Sequence, residues 1–249
     1  MRGLLSNWQL KLAVALVALS VVGYLIHFAI FRDVHHIFLY LVGDIAFVFL
    51  EVLMVTLIIH ELLSRHEKRQ RMDKLNMVIG AFFSEVGTVL LRRFSDWDGG
   101  LGAMRERLKV TTLWTEEQFD SVAALMRDHV YRVEPHHMQV AELRSLLAGS
   151  SEFLLRLMEN PNLLEHERFT NLLMATFHLE EELLARDEGE ELPETDVRHL
   201  AGDVDRVYGQ LARTWLDYMR YLKGHYPYLF SLAVRINPFD RQASPIVGQ

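Results

Sequence analysis

The sequence predicts an all-α membrane protein: a two-helix transmembrane hairpin, a long stalk helix and a cytoplasmic helical-bundle domain. Two long apolar runs near the N-terminus predict the hairpin. The rest of the chain spaces its apolar residues as a helix does, and no segment alternates apolar and polar residues like a strand. These patterns together favour an architecture built from helices alone.

The first apolar run, 12–31, contains no charged residue, and the second, 37–59, contains only Asp44 and Glu51. A helix rises about 1.5 Å per residue, so each run is long enough to cross a hydrocarbon core of about 30 Å. The first run is too long for a cleaved signal peptide and lacks a small-residue cleavage site. We therefore expect residues 1–62 to form a transmembrane hairpin in the mature protein.

Charge on either side of the two runs predicts their orientation. The connecting loop, 32–36, contains a single basic residue, whereas many basic residues follow the second run: Arg65, Lys68, Arg69, Arg71 and Lys74. The positive-inside rule then places both termini in the cytoplasm. The sequence thus predicts a multi-pass protein of the inner (plasma) membrane, in contact with lipid.

The segment after the hairpin predicts a stalk. Charged residues with no helix breaker lead from the second run into the apolar stretch 75–91, and Gly99 and Gly100 then interrupt the pattern. One stalk helix is therefore predicted over 63–98. The cytoplasmic helical domain should occupy 99–236, followed by a C-terminal tail, 237–249.

Local signals predict the first helices of this domain. Thr115 and Gln118 have the spacing of a capping box, which predicts a helix through about Val130. Pro135 is predicted to start another helix, ending near Gly149.

Two longer helices should follow in the same domain. One is predicted to begin at Pro161 and to reach about Arg186, before the acidic loop 187–194. Pro193 then introduces the longest, which Gly224 closes. The apolar positions of that last helix follow 3.6-residue spacing: Val204, Val207, Leu211, Trp215, Tyr218 and Leu222.

Composition excludes several classes of function. The formal charge is -7, and residues 1–60 carry three basic and three acidic residues, so the negative charge lies in the cytoplasmic part. Nucleic acid is therefore not an expected partner, because phosphate binding needs a basic surface. The chain has no cysteine, which excludes disulfides, thiol nucleophiles and thiolate metal sites. The common motifs of hydrolases, nucleotide-binding proteins and potassium channels are absent, so an enzyme is not the leading hypothesis.

Asp44 and Glu51 are the first functional candidates. They lie seven residues apart, which places them on one face of the second helix. A carboxylate inside the bilayer costs at least a few kcal/mol, so it persists only where it faces protein, water or an ion. Antiparallel folding would bring His27 of the first helix near the depth of Asp44. These three residues are the candidate ion pathway; alternatively, the two acids only stabilise helix packing.

A second candidate site lies in the cytoplasmic domain. His178 and Glu182 are four residues apart on one predicted helix, and His199 and Asp203 are four apart on the next. Two such helices side by side can supply four nitrogen and oxygen ligands to a divalent metal ion. The alternative is a histidine satisfied in the core beside a solvated acidic face. Further possible ligands without recognisable spacing include His136 and His137.

Gly80, Ser84 and Gly87 form a stripe of small residues in the predicted stalk. Small residues allow helices to approach closely, so this stripe predicts a helix interface between copies of the chain.

Three functional hypotheses follow. The leading one is a small cation or proton channel or transporter with a cytoplasmic gating domain; it requires a homo-oligomer, because two helices cannot enclose a path. The second is a non-catalytic, membrane-anchored signalling or scaffold protein whose acidic domain binds a cytoplasmic protein partner. The third is a helix-bundle, metal-dependent membrane enzyme with a divalent metal ion as cofactor.

Overall fold

The computed structural model describes residues 7–161, 163, 166–187, 189 and 191–247. The first six residues of the predicted hairpin segment and the last two of the predicted tail lie outside this range. The described residues are mostly helical and contain no strand, which confirms the all-α class. The chain divides into two compact units, Met1–Lys68 and Arg69–Gln249.

Within the described residues, the elements with both ends defined are ten α-helices, one π-helical turn and one 3₁₀ turn. In chain order they are α1 Asn7–Phe31, α2 Val34–Phe82, a π turn Phe83–Gly87, α3 Thr88–Trp97, α4 Gly102–Arg107, α5 Glu116–Asp128, a 3₁₀ turn Pro135–His137, α6 Val140–Ala148, α7 Ser151–Met158, α8 Glu167–Leu184, α9 Glu194–His225 and α10 Pro227–Arg235.

Among the residues that the structure describes, three helical stretches are long and apolar enough to cross a membrane: Leu10–Phe31, Ile37–His66 and Met72–Trp97. The first two expose their large apolar side chains on all sides, as Phe49 does at 76 %. A helix that is apolar all round must find an apolar environment. The third stretch differs, because nearly half of its most apolar part is buried inside the second unit.

The third stretch contains the π turn. Both the backbone N–H and the Oγ1 hydroxyl of Thr88 donate to the carbonyl of Phe83, the hydroxyl at 2.7 Å. A hydrogen bond reaching five residues back widens the helix by one residue in this turn. Helical residues nevertheless continue from Val34 to Trp97.

Helix α9 is the central element of the second unit. It contacts α3, α5, α8 and α10, and its contact with α8 is the most extensive in the unit. Its buried face includes Leu200, Val204, Val207, Leu211, Trp215 and Leu222. The 3.6-residue spacing of the sequence singled out five of these six, and it also singled out Tyr218, which is only partly buried.

The local signals have mixed outcomes. The capping box is confirmed: the Thr115 N–H donates to Gln118 Oε1 at 2.8 Å, and the Gln118 N–H donates to Thr115 Oγ1 at 3.4 Å. The predicted helix start at Pro135 is wrong, since only a 3₁₀ turn begins there and α6 starts at Val140. The start at Pro161 is also wrong. Helix α8 begins at Glu167, where His166 Nδ1 accepts from the Phe169 N–H at 3.1 Å.

Candidate functional site

In the first unit, a cavity of about 280 Å³ lies between α1 and the start of α2. Two of the three residues of the predicted ion pathway, His27 and Asp44, line it. The other lining residues are Tyr24, Ile37 and Tyr40. Glu51 is exposed on α2, almost two turns beyond Asp44, and is not among the lining residues. The structure thus brings His27 and Asp44 together and leaves Glu51 apart from them.

In the second unit, α8 and α9 bring together all four predicted metal ligands. His199 Nε2 lies 3.6 Å from Glu182 Oε2 and 3.6 Å from Asp203 Oδ2. His178 Nε2 lies 4.0 Å from Glu182 Oε1 and 3.8 Å from Asp203 Oδ1. We call these four residues the α8/α9 cluster. Each pair shares a helix face because four residues make about one turn, and the packing of α8 on α9 then joins the pairs.

Two arginines contact the carboxylates of the α8/α9 cluster. Arg186 donates to Glu182 Oε2 at 3.0 Å and forms a bidentate pair with Asp196 at 2.6 and 2.7 Å. Arg206 donates to Asp203 Oδ1 at 2.8 Å. The hydrogen bond from Arg186 is the main cause that lowers the pKa of Glu182 below its ordinary value. Glu182 therefore stays ionised to a lower pH than an unpaired glutamate does.

A cavity of about 650 Å³ adjoins the α8/α9 cluster through Arg186, which is one of its lining residues. Its walls are mainly apolar and come from the segment 135–138, from α6, from the end of α8 and the loop after it, and from the start of α9. Apolar cavities of this size with a few charged groups are typical of ligand sites.

A second group of possible metal ligands lies in the 3₁₀ turn. Glu134 Oε2 is 3.1 Å from His136 Nε2 and 3.2 Å from His137 Nδ1. The sequence singled out the two histidines but missed Glu134. The sequence pattern Glu-x-His-His is too short to indicate a metal site by itself. Only the 3₁₀ turn brings Glu134 next to the two histidines. The two histidines are exposed and Glu134 is half-buried.

A buried polar cluster, formed by Asp98, His129, Tyr131 and Tyr208, was missed altogether. Asp98 Oδ2 lies 3.8 Å from His129 Nε2, and the Tyr131 ring packs edge-on against both the His129 ring and the Tyr208 ring. Asp98 Oδ1 accepts from the Gly100 N–H at 2.9 Å. Burial raises the pKa of Asp98, and the Gly100 hydrogen bond and His129 offset this only in part. The residues come from three separate segments, so no sequence spacing could have indicated the cluster.

The variant Asp98→Asn should therefore be more stable than wild type, by a margin that grows as the pH rises. The folded-state pKa of Asp98 lies above its unfolded value, so wild type is favoured when the carboxyl is neutral and loses stability as pH rises through the folded pKa. Asparagine stays neutral and can still accept from Gly100. The thermal unfolding midpoint of the full chain at pH 4 and pH 7 measures this. Asp128→Asn, at an exposed position at the end of α5, is the control, and an equal response of both variants to pH would contradict the prediction.

Two glycines of the stripe predicted to form an interface between copies lie close to other side chains of the same chain. A Cβ on Gly80 would lie 2.8 Å from the hydroxyl of Tyr218 on α9, and one on Gly87 would meet the rings of Phe82 and Phe83. Ser84 is exposed. Close approach thus occurs at Gly80 between α2 and α9, and an interface between copies stays a prediction.

Comparisons with known proteins match both parts of the chain. A family model described as the C-terminal helical domain of uncharacterized protein MJ1433 matches residues 71–235, and one described as the MJ1433 N-terminal helical domain matches residues 4–63. The chain is 43% identical over 237 residues to "Uncharacterized protein MJ1433" of Methanocaldococcus jannaschii, covering 95% of each chain. No solved structure matches the chain.

Proposed function

We propose that the chain, which belongs to the MJ1433 family with its N-terminal and C-terminal helical domains, is an oligomeric membrane protein that passes cations or protons. In this proposal α1 and α2 form a transmembrane hairpin with both termini in the cytoplasm. The pathway includes His27, Asp44 and Glu51, and the C-terminal domain gates it from the cytoplasm. Copies surround a shared axis, since one hairpin cannot enclose a path.

The shared cavity of His27 and Asp44 is the observation that carries this proposal. Both residues lie on helices whose large apolar side chains are exposed, so lipid is the environment these helices fit. A carboxylate at that depth is costly unless it meets a partner, water or an ion. An imidazole beside it can both accept and donate a proton. The pair therefore has the chemistry of a proton relay or a cation-binding position.

Replacing Asp44 with Asn tests the pathway. The amide keeps the shape and hydrogen bonding of the side chain but removes its charge, so the oligomer should survive while cation or proton flux falls severalfold. Charge matters because carboxylates replace part of a cation's lost hydration, which amides do far less well. The measurement is flux into liposomes containing the full chain, across pH and membrane potential.

Two further variants make the test specific. Glu51→Gln should also lower the flux, and Asp33→Asn, which changes an acid in the loop between the helices, should leave it near the wild-type value. A wild-type oligomer that passes no cation and no proton would contradict the proposal. So would a monomer in detergent, and either result would favour the scaffold hypothesis.

A further inference from the structure

We infer that the α8/α9 cluster, His178, Glu182, His199 and Asp203, is a binding site for one divalent transition-metal ion of the Zn²⁺, Mn²⁺ or Fe²⁺ class. The inference is independent of the membrane pathway, since all four residues belong to the second unit. It rests on the distances between the ligand atoms, on the buried carboxylate of Asp203, and on the combination of two imidazoles with two carboxylates.

The spacing fits ligands that share one ion. Bonds of about 2.0–2.2 Å from a metal to nitrogen or oxygen place neighbouring ligand atoms on the order of 3–4 Å apart. The four His-to-carboxylate distances in the cluster lie between 3.6 and 4.0 Å. The two that reach an oxygen without an arginine partner are His199 Nε2 to Asp203 Oδ2, at 3.6 Å, and His178 Nε2 to Glu182 Oε1, at 4.0 Å. Ligand atoms of Glu182, His199 and Asp203 all lie within 4.8 Å of one another. Both imidazoles are exposed, which leaves their rings room to turn toward an ion.

Asp203 provides an independent indication of a ligand. Its side chain is only 5 % exposed, and its Oδ2 atom is buried and accepts no hydrogen bond from the described part of the protein. A buried carboxylate oxygen without a partner is costly, so native proteins nearly always satisfy it. This oxygen faces His199 Nε2 at 3.6 Å, beyond hydrogen-bonding distance. A metal ion between the two atoms would satisfy both.

The two arginines hold the carboxylates in place. Arg206 occupies Asp203 Oδ1, and Arg186 occupies Glu182 Oε2, so each carboxylate keeps one oxygen for the ion: Oδ2 and Oε1. Hydrogen bonds of this kind orient metal ligands, and losing them typically lowers metal affinity. The bidentate pair of Arg186 with Asp196 in turn fixes Arg186 itself.

The donor set selects the class of metal. Two imidazoles and two carboxylates suit borderline ions, whereas Mg²⁺ and Ca²⁺ prefer oxygen ligands alone and Cu⁺ prefers sulfur. His178 and His199 are 46 % and 56 % exposed, so solvent reaches one side of the site. An ion there can exchange, and water can fill its remaining positions.

Zinc binding by the full chain tests the site. Protein purified in detergent without a metal-binding tag is stripped with a chelator, and Zn²⁺ is titrated by calorimetry with elemental analysis of the product. We expect one tightly bound ion per cluster. Removing a ligand in His178→Ala or His199→Ala should lower the affinity roughly 10-fold or more. Both positions are exposed, so these variants should keep the fold, which circular dichroism checks.

His136→Ala is the matched control, because it removes an exposed histidine from the other group of possible ligands. Its zinc affinity at the α8/α9 cluster should equal that of wild type. Wild-type protein without stoichiometric zinc, Mn²⁺ or Fe²⁺ binding would overturn the inference. Binding that survives His199→Ala but is lost in His136→Ala would also overturn it and assign the ion to the 3₁₀ turn.

Discussion

Phe82→Ala is expected to destabilise the protein by about 3–5 kcal/mol, the usual cost of removing a large buried ring. The Phe82 side chain is fully buried at the end of α2. It packs edge-on against Phe83 and against Phe169 of α8, with ring centroids 5.5 Å apart in both contacts. Alanine would leave a cavity between these helices. Urea unfolding of the full chain in detergent, followed by tryptophan fluorescence, measures the loss.

Met77→Ala on the same helix is the control for this experiment. Met77 is 60 % exposed, so its truncation should change the free energy of unfolding by no more than about 0.5 kcal/mol. Equal effects of the two variants would show that the end of α2 does not form part of the core.

Gly80→Leu is expected to cost about 1–3 kcal/mol, as overpacking typically does. The new Cβ would lie 2.8 Å from the Tyr218 hydroxyl, and the Tyr218 ring stacks on Phe83 at 5.4 Å, which limits how far it can move. The loss of stability should appear in each chain whatever its oligomeric state. Thermal unfolding in detergent measures the stability of the chain, and particle size measures the number of subunits. Recording both separates a loss of packing within one chain from a loss of assembly.

Gly224→Leu is the matched control, because a Cβ there would meet nothing within 4 Å. It should leave both stability and particle size near wild type. If Gly80→Leu instead keeps the wild-type stability and lowers the number of subunits, Gly80 lies at an interface between copies of the chain, as the small-residue stripe predicted.

The α8/α9 cluster could be predicted because each of its two pairs lies within one turn of a single helix. Four-residue spacing places His178 with Glu182 and His199 with Asp203, whatever the rest of the chain does. Consecutive helices also pack together in most folds. The same local spacing relates Arg186 to Glu182 and Arg206 to Asp203, and the sequence analysis overlooked it. Sequence could not indicate the pair of Arg186 with Asp196, because that contact forms only when the two helices dock.

Local sequence patterns could not predict the ends of the helices or the buried polar cluster, for a different reason. The segment from His129 to Glu134 has no helix or strand, so no period relates its side chains to those of α9. The contact of Tyr131 with Tyr208 and the hydrogen bond from the Val133 N–H to Asp205 Oδ1, at 2.7 Å, depend on tertiary packing. Prolines at 135 and 161 similarly indicate a turn but not how soon a helix follows.

The π turn between α2 and α3 corrects the helical phase of the third apolar stretch. Phe82, Val86, Leu90 and Phe94 are all fully buried, although they recur every four residues. In a regular α-helix each such step overshoots a full turn by about 40°, so three steps would rotate Phe94 by roughly 120° from Phe82. A turn containing one extra residue returns about 100° of this rotation. One widened turn therefore keeps these four side chains facing the same core.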